Sequence, residues 1–255
     1  MIVTEGLRKH YGETPALHPL DLTVEPGEIL GFLGPNGAGK STTVKILTGM
    51  IRPSGGRATV AGFDVVEQPL EVKQRIGYVP ETAAIYDGLT ANEYLELVGS
   101  LHHVDPKTSR TRRGELLEIF GLGRAADQRM TEFSKGMRQK VVICAALLHR
   151  PEVLFLDEPL DGLDANAAAV VKELLKKLAS QGRTILFCSH ILEVVERMCT
   201  RIVIINGGRK VASGTPADIR AETGTATLEE AFSRLTGVKD VGQTAADLLA
   251  ALDRI

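Results

Sequence analysis

Apolar positions along the chain gather into short runs that alternate with stretches of helical period. Residues 2–7, 20–24 and 28–33 read as strands, the last entered through the Pro26-Gly27 turn. A helix is expected over about 40–49, and Pro53-Ser54-Gly55-Gly56 breaks it. Residues 57–61 and 75–79 return as strands, the second stopped by Pro80. From Thr90 the period lengthens. Thr90 and Glu93 have capping-box spacing, and Tyr94, Leu95, Leu97, Val98 and Leu101 share one face. Helices are expected at 115–120, ended by Gly121, and at 135–148. Beyond Pro151, apolar strands at 153–156, 184–189 and 201–205 alternate with helices at 165–179 and 192–198, and Gly207-Gly208 turns the chain into a strand at 210–212. Strands that are apolar throughout, separated by helices, imply a mostly parallel sheet buried on both faces. The helical stretch of about 83–150 then reads as an inserted lobe. After Gly214 the chain is polar and helical, with cap patterns at Thr227 with Glu230 and Thr244 with Asp247. There is no internal repeat and no low-complexity tract.

Composition narrows the classes. A length of 255 residues admits one large domain or two small ones at ~100–200 residues each. Hydrophobic residues at 44% and charged residues at 24% are ordinary globular usage and exclude disorder over the whole chain. Thirty Lys and Arg against 32 Asp and Glu leave a formal charge of -2, so there is no global attraction for nucleic acid or anionic lipid. The longest apolar run, 141–148, falls short of the ~20 residues a spanning helix needs, and the first residues lack the apolar core of a secretory signal. A soluble, unexported chain is expected. Cys144, Cys188 and Cys199 have no metal-ligand spacing and lie in apolar stretches, as small buried hydrophobes in a reducing compartment do. His102-His103 has no other ligand cluster nearby and reads as a solvated helix end, not a metal site. The 26 glycines imply tight turns or backbone that approaches a ligand closely.

Gly34-Pro35-Asn36-Gly37-Ala38-Gly39-Lys40-Ser41 matches the phosphate-loop pattern, between a predicted strand and a predicted helix. Its glycines let backbone N–H groups turn toward a polyphosphate, and the helix start adds partial positive charge. Lys40 would neutralise the β and γ phosphates, and the Ser41 hydroxyl would ligate Mg²⁺. The strand 153–156 delivers Asp157 and Glu158. Asp157 can hold Mg²⁺ through its water shell, and Glu158 is placed to polarise an attacking water. His190 follows the strand 184–189, whose C-terminal end shares an edge with the phosphate loop in a parallel sheet, so it can reach the γ-phosphate. Ser134 caps the helix at 135–148 and Gly136 keeps its first turn open, a start that could accept an anion.

Together these elements resemble the ATP-binding subunit (nucleotide-binding domain) of ABC transporters. GPNGAGKS, the signature-like FSKGMRQK, VLFLDEP, LDGLD and the His ending LFCSH carry the likeness, which covers about 2–214. The resemblance implies an α/β P-loop NTPase with a RecA-like mostly parallel sheet, an antiparallel N-terminal β-subdomain and an inserted helical subdomain. It implies an ATP-binding domain over 1–215 and a helical tail over 216–255. Lys40, Glu158 and His190 would be catalytic, with Ser41, Glu81 and Asp157 at Mg²⁺. Gly34 to Ser41 and Thr42 would hold the phosphates, and Tyr11 would stack on the adenine. Subunits of the family pair head to tail, so Ser134 and Gly136 would close on the partner's ATP. Asp161 and Asp164 would lie at that interface, although Asp164 can equally be only a helix cap. An integral membrane permease is the further partner, received at 82–89 by Ile85, Tyr86 and Leu89, with the chain peripheral on the cytoplasmic face of the membrane.

Two positions depart from the family pattern. Glu81 stands where Gln is usual, adding a negative charge beside the phosphates, and Lys135 stands where the signature has Gly, adding positive charge near the facing ATP or at the rim. Pro80-Glu81, SKGMRQK and the segment 228–237 resemble the exporter branch. One alternative is a soluble ABC-type ATPase acting on nucleic acid or ribosomes. Against it stand the single nucleotide domain, the lack of a coiled-coil insert and the slightly negative charge. A regulatory module with little catalysis, motivated by Glu81, is the other; intact Lys40, Asp157, Glu158 and His190 argue against it.

Overall fold

The computed structural model describes residues 1–237 apart from 84, together with 249 and 252; the Thr244–Asp247 cap pattern lies outside them. Near the N-terminus an antiparallel sheet runs in the order β2 (Thr14–Val24), β1 (Ile2–Tyr11), β4 (Gly55–Val60), β5 (Phe63–Asp64). β1 and β2 extend further than their apolar runs. The polar ends of the two strands pair at Tyr11 with Thr14, and β2 tolerates Pro15 and Pro19 because it is an edge strand.

The second sheet has the order β10 (Arg209–Gly214), β9 (Arg201–Asn206), β3 (Ile29–Leu33), β8 (Thr184–Cys188), β7 (Val153–Asp157), β6 (Ile76–Val79). It is parallel from β9 to β6, with β10 antiparallel at one edge. Its strands are apolar throughout because each face meets a separate core. Leu33, Leu154, Leu156, Ile185 and Phe187 pack toward the helical side, while Leu30, Phe32, Phe155 and Leu186 pack toward the antiparallel sheet. Alternation along each strand is therefore between two apolar environments, which is why a continuous apolar run is the right pattern.

The helical stretch comprises α3 (Ala91–Leu101), α4 (Pro106–Ile119) and α5 (Lys135–Leu148). The capping box at Thr90 and Glu93 forms in both directions, at 3.1 and 2.8 Å. α4 starts nine residues before the expected 115, capped by Asp105 on Thr108 N–H at 2.9 Å. Its first half buries only Ser109, so no apolar stripe marks it. Likewise α2 (Pro69–Arg75) buries only Val72 and escapes a pattern search. The helix after the phosphate loop, α1 (Lys40–Leu47), ends two residues before the expected 49. α6 (Ala165–Ser180), α7 (Leu192–Met198), α8 (Pro216–Thr223) and α9 (Leu228–Thr236) complete the helices of the described residues.

Cys144, Cys188 and Cys199 are free and buried, as expected. His102 corrects its expectation. It is half-buried, and its ring stacks on His149 with centroids 3.6 Å apart and planes 14° from parallel; only His103 is a solvated helix end. His149 Nε2 meets the Ile76 carbonyl at 2.8 Å, while both Nδ1 atoms are buried with no partner among the described residues. Burial, then the facing His149 and the adjacent His103, push His102 down to about 4, and burial also lowers His149. A histidine held neutral in the fold but titrating near 6.5 when unfolded gives stability that is fully present above 6.5 and is lost as the pH falls toward 4. Asp157, raised to about 6, acts in the opposite sense over the same range, so a variant comparison is needed. In His102→Phe, which keeps a ring on His149, the unfolding temperature is expected to fall less between pH 7 and pH 5 than in the parent. Parallel melting curves at the two pH values decide it; identical slopes would refute the role given to His102.

Candidate functional site

Parallel strands bring their C-terminal ends to one edge of a sheet. β3 ends at Leu33 and opens directly into the loop 34–39, while β7 ends at Asp157, in register with Cys188 at the end of β8. Val79, last in β6, is in register with Leu156 and is followed by Pro80-Glu81. These ends surround a cavity of about 330 Å³ lined by Ala16, residues 35–42, Glu81, Asp157 and Glu158.

The loop is held from outside. The Gly208 N–H donates to the Ala38 carbonyl at 3.0 Å, and the Gly208 carbonyl accepts from His18 N–H at 2.9 Å. Gly39 has φ +104°, and a side chain there would also come within 2.7 Å of the Ala16 carbonyl, so the position requires glycine. The β1–β2 hairpin and the β9–β10 turn thus buttress the loop, a support that the motif does not announce. Gly39 precedes α1 with no side chain capping the helix and no acid in its first turn. The first N–H groups of α1 are left for an anion. Lys40 Nζ lies within the loop, donating to the carbonyls of Gly34 at 2.5 Å and Pro35 at 3.2 Å.

Asp157 is 4% exposed. Burial, then the charges of Glu81 and Glu158, push its carboxyl up to about 6, against the opposing effect of Lys40 and Lys45. The site is therefore short of positive charge. No group of three or more metal-ligating side chains occurs among the described residues. A Mg²⁺ ion would fit such a site held by one or two carboxylates, a hydroxyl, water and a substrate's phosphates, and not by a protein cage.

Glu158 has φ +49°, uncommon for a side-chain-bearing residue. Its N–H donates to the Cys188 carbonyl at 3.0 Å. Its Oε2 accepts from Ser189 Oγ at 3.2 Å and lies 3.0 Å from His190 Nδ1. Ser189 was not among the residues expected here. It could have been found as the last residue before His190, with its hydroxyl at the strand's end. Ser189 Oγ also accepts from Ile191 N–H at 3.2 Å, so it ties the β8–α7 loop to the glutamate.

The remaining expected residues lie outside this cavity. Tyr11 ends β1, is 52% exposed, and has Lys9 Nζ 5.3 Å from its ring centroid. Ser134 caps α5 by accepting from Met137 N–H at 3.2 Å. The start of α5 is joined instead to the loop after β7. Lys135 Nζ pairs with Asp161 at 2.6 Å, and Lys140 Nζ with Asp164 at 3.0 Å. The buried Gln139 donates to the Pro159 carbonyl at 3.1 Å. Gly136 approaches this loop so closely that a Cβ would lie 2.5 Å from the Gly162 carbonyl. The hydrogen bond from Lys135 holds Asp161 below the usual carboxylate range. Asp164 caps α6 through Ala167 N–H at 2.8 Å. The lysine that departs from the signature is thus engaged by an acid of its own chain.

A cradle of backbone N–H groups between strand and helix takes a polyphosphate, and the acid-ended strand beside it supplies what hydrolysis of that phosphate requires. On a parallel sheet this combination defines a P-loop nucleoside triphosphatase. Comparison with known proteins narrows the class. The family profile described as "ABC transporter" matches residues 17–161. The daunorubicin resistance ATP-binding protein DrrA3 of Streptomyces coeruleorubidus is 41% identical over 223 residues, covering 88% of this chain and 71% of that protein. A solved ATP-binding subunit of an ABC transporter superposes with a TM-score of 0.87 at 34% identity, covering 92% of this chain and 99% of that one. The dimeric ATP-binding cassette MJ0796, bound to ADP and phosphate after hydrolysis, superposes with a TM-score of 0.77 at 26% identity, covering 84% and 98%. The chain belongs to the ABC transporter ATP-binding family, and it binds and hydrolyses ATP. Among the described residues no helix is long and apolar enough to cross a membrane.

Proposed function

We propose that this chain powers an exporter, hydrolysing ATP in a head-to-tail dimer on the cytoplasmic face of a membrane and driving a separate permease. The carrying observation is the division of the site. The phosphate cradle and the acids converge on one cavity, whereas Ser134 and Gly136 sit outside it. A second copy turned head to tail would bring its own Ser134 hydroxyl and α5 start to the open side of the bound ATP, and Asp161 would lie near the join. The daunorubicin resistance for which the relative DrrA3 is named supports the export direction. We further propose an ATP-binding domain over 1–215, with a helical insert at about 83–150 and a tail over 216–255.

Within the site, Lys40 would leave the Gly34 and Pro35 carbonyls for the β and γ phosphates. The backbone of 34–39 and the hydroxyls of Ser41 and Thr42 would hold the remaining oxygens. Tyr11 offers an exposed ring to the adenine. Ser41, Asp157 and Glu81 would hold Mg²⁺, which when bound neutralises phosphate charge. Glu158 would orient a water and take its proton as the water oxygen bonds to the γ-phosphorus and the bond to the ADP oxygen breaks. His190 would donate a hydrogen bond to the γ-phosphate, and its contact with Glu158 ties the two groups together.

The segment 82–89 is proposed to receive the permease. Tyr86 is 69% exposed there, while Ile85 and Leu89 pack against the helical core and offer less surface than their sequence implies. Tagged chain extracted in mild detergent from its own host is expected to carry a multi-span membrane protein in stoichiometric amount. Loss of that protein on Tyr86→Asp is expected, with ATP binding unchanged. Recovery of the chain with no integral membrane partner under any nucleotide condition would overturn the transport reading.

A further inference from the structure

At the sheet edge opposite the nucleotide, a cavity of about 520 Å³ opens between the helical lobe and the core. Its floor is apolar: Leu116 and Leu147 come from α4 and α5, Leu154 from β7, Leu174 and Leu178 from α6. Its rim is cationic. Arg150 stands just before β7 and Arg183 just before β8, facing Arg112 of α4, and Glu115 is the one carboxylate in the lining. A hollow of about 290 Å³ shares Arg112, Glu115 and Arg150 and adds Lys107. Among the described residues none of these four cations enters an ion pair. Arg112 is turned partly inward, donating to the Leu148 carbonyl at the end of α5. Burial and the neighbouring Arg150 charge lower its pKa, against the opposing effect of Glu115, so the two guanidinium groups repel one another and are only partly compensated.

We propose that this crevice binds an anionic amphiphile, a small molecule with one carboxylate head and an apolar body. The choice follows from charge and surface together. A purely apolar ligand would leave like-charged guanidinium groups facing hydrocarbon, and a free anion would leave the leucine floor wet. A carboxylate can engage a guanidinium through two parallel hydrogen bonds, while each methylene buried on the leucines is worth about fourfold in affinity. A volume of about 520 Å³ is within the range of small-molecule pockets. The crevice lies away from every residue assigned to the nucleotide, so ligand and ATP bind together.

Titration calorimetry of the full chain with decanoate, kept below its micelle concentration, tests this. One site per chain is expected, with octanoate about 16-fold weaker and decyltrimethylammonium weaker by at least tenfold. In the double variant Arg150→Asn, Arg183→Gln, decanoate affinity is expected to fall at least tenfold, with ATP turnover and unfolding temperature unchanged. Asn suits position 150 because Arg150 has φ +55°. Equal binding of the cationic amphiphile, equal binding by the double variant, acetate binding as tightly as decanoate, or no decanoate binding would each overturn the proposal. The head-group comparison on the unaltered chain decides the matter even if the double variant does not fold.

Discussion

Replacing Glu158 by Gln is expected to abolish ATP turnover while leaving ATP bound and locking two chains together. The expected loss is about 10²–10⁴-fold, the range for removing a positioned general base. Gln has the same shape, can still accept from Ser189 Oγ, and leaves the backbone at φ +49° with its N–H on Cys188. The amide cannot take the water's proton. The cradle at 34–39 and Lys40 are untouched, so both grips on the γ-phosphate persist, and the dimer that hydrolysis would open accumulates. Phosphate release and light scattering of the variant with Mg²⁺ and ATP read the two effects separately. Turnover within tenfold of the parent would remove Glu158 from the role given to it. A variant that loses turnover but stays monomeric with ATP would instead count against the head-to-tail arrangement.

How far the chain's letters foretell this site depends on the range of the interactions. The phosphate loop, the acid-ended strand and His190 are legible because each is a local pattern beside a continuous apolar strand, and parallel pairing then aligns Leu33, Val79, Asp157 and Cys188 on one edge. Elements held by few buried side chains are illegible. α2 buries Val72 alone, and the first half of α4 carries Lys107, Arg110 and Arg112 with no apolar stripe. Contacts between distant segments are hidden for a different reason. Nothing local says that Ala16 and Gly208 brace the phosphate loop, that His102 stacks on His149, or that Lys135 meets Asp161. The last of these changes a reading. As a letter in the signature, Lys135 looks like added charge near a facing nucleotide or at the rim. In the fold it belongs, with Lys140 and Gln139, to a set of links that ties the start of α5 to the loop 159–164. The ion pairs are exposed and individually weak; the buried Gln139 bond and the Gly136–Gly162 approach give the joint its firmness.

Lys40→Ala is expected to weaken ATP binding by about 10–100-fold, the worth of one hydrogen-bonded charge, and to cut turnover by about 10²–10³-fold, as when a transition-state donor is removed. Two losses combine. The ammonium that now rests on the Gly34 and Pro35 carbonyls is the cation of the cradle itself. Its charge also opposes the rise in the Asp157 pKa, so its removal leaves Asp157, Glu81 and Glu158 with less positive compensation beside the incoming triphosphate. The fold is expected to survive, because Lys40 makes no side-chain hydrogen bond outside the loop among the described residues and Gly39 and the α1 backbone keep their supports. The variant therefore separates from Glu158→Gln by sign: Glu158→Gln gains an ATP-dependent dimer, whereas Lys40→Ala forms none at the same nucleotide concentration. Fluorescent nucleotide binding, light scattering and a melting curve without nucleotide supply the three readings. If Lys40→Ala binds ATP as tightly as the parent and still dimerises, phosphate recognition rests on the loop backbone and the α1 N-terminus alone, and the lysine is displaced from the centre of the mechanism.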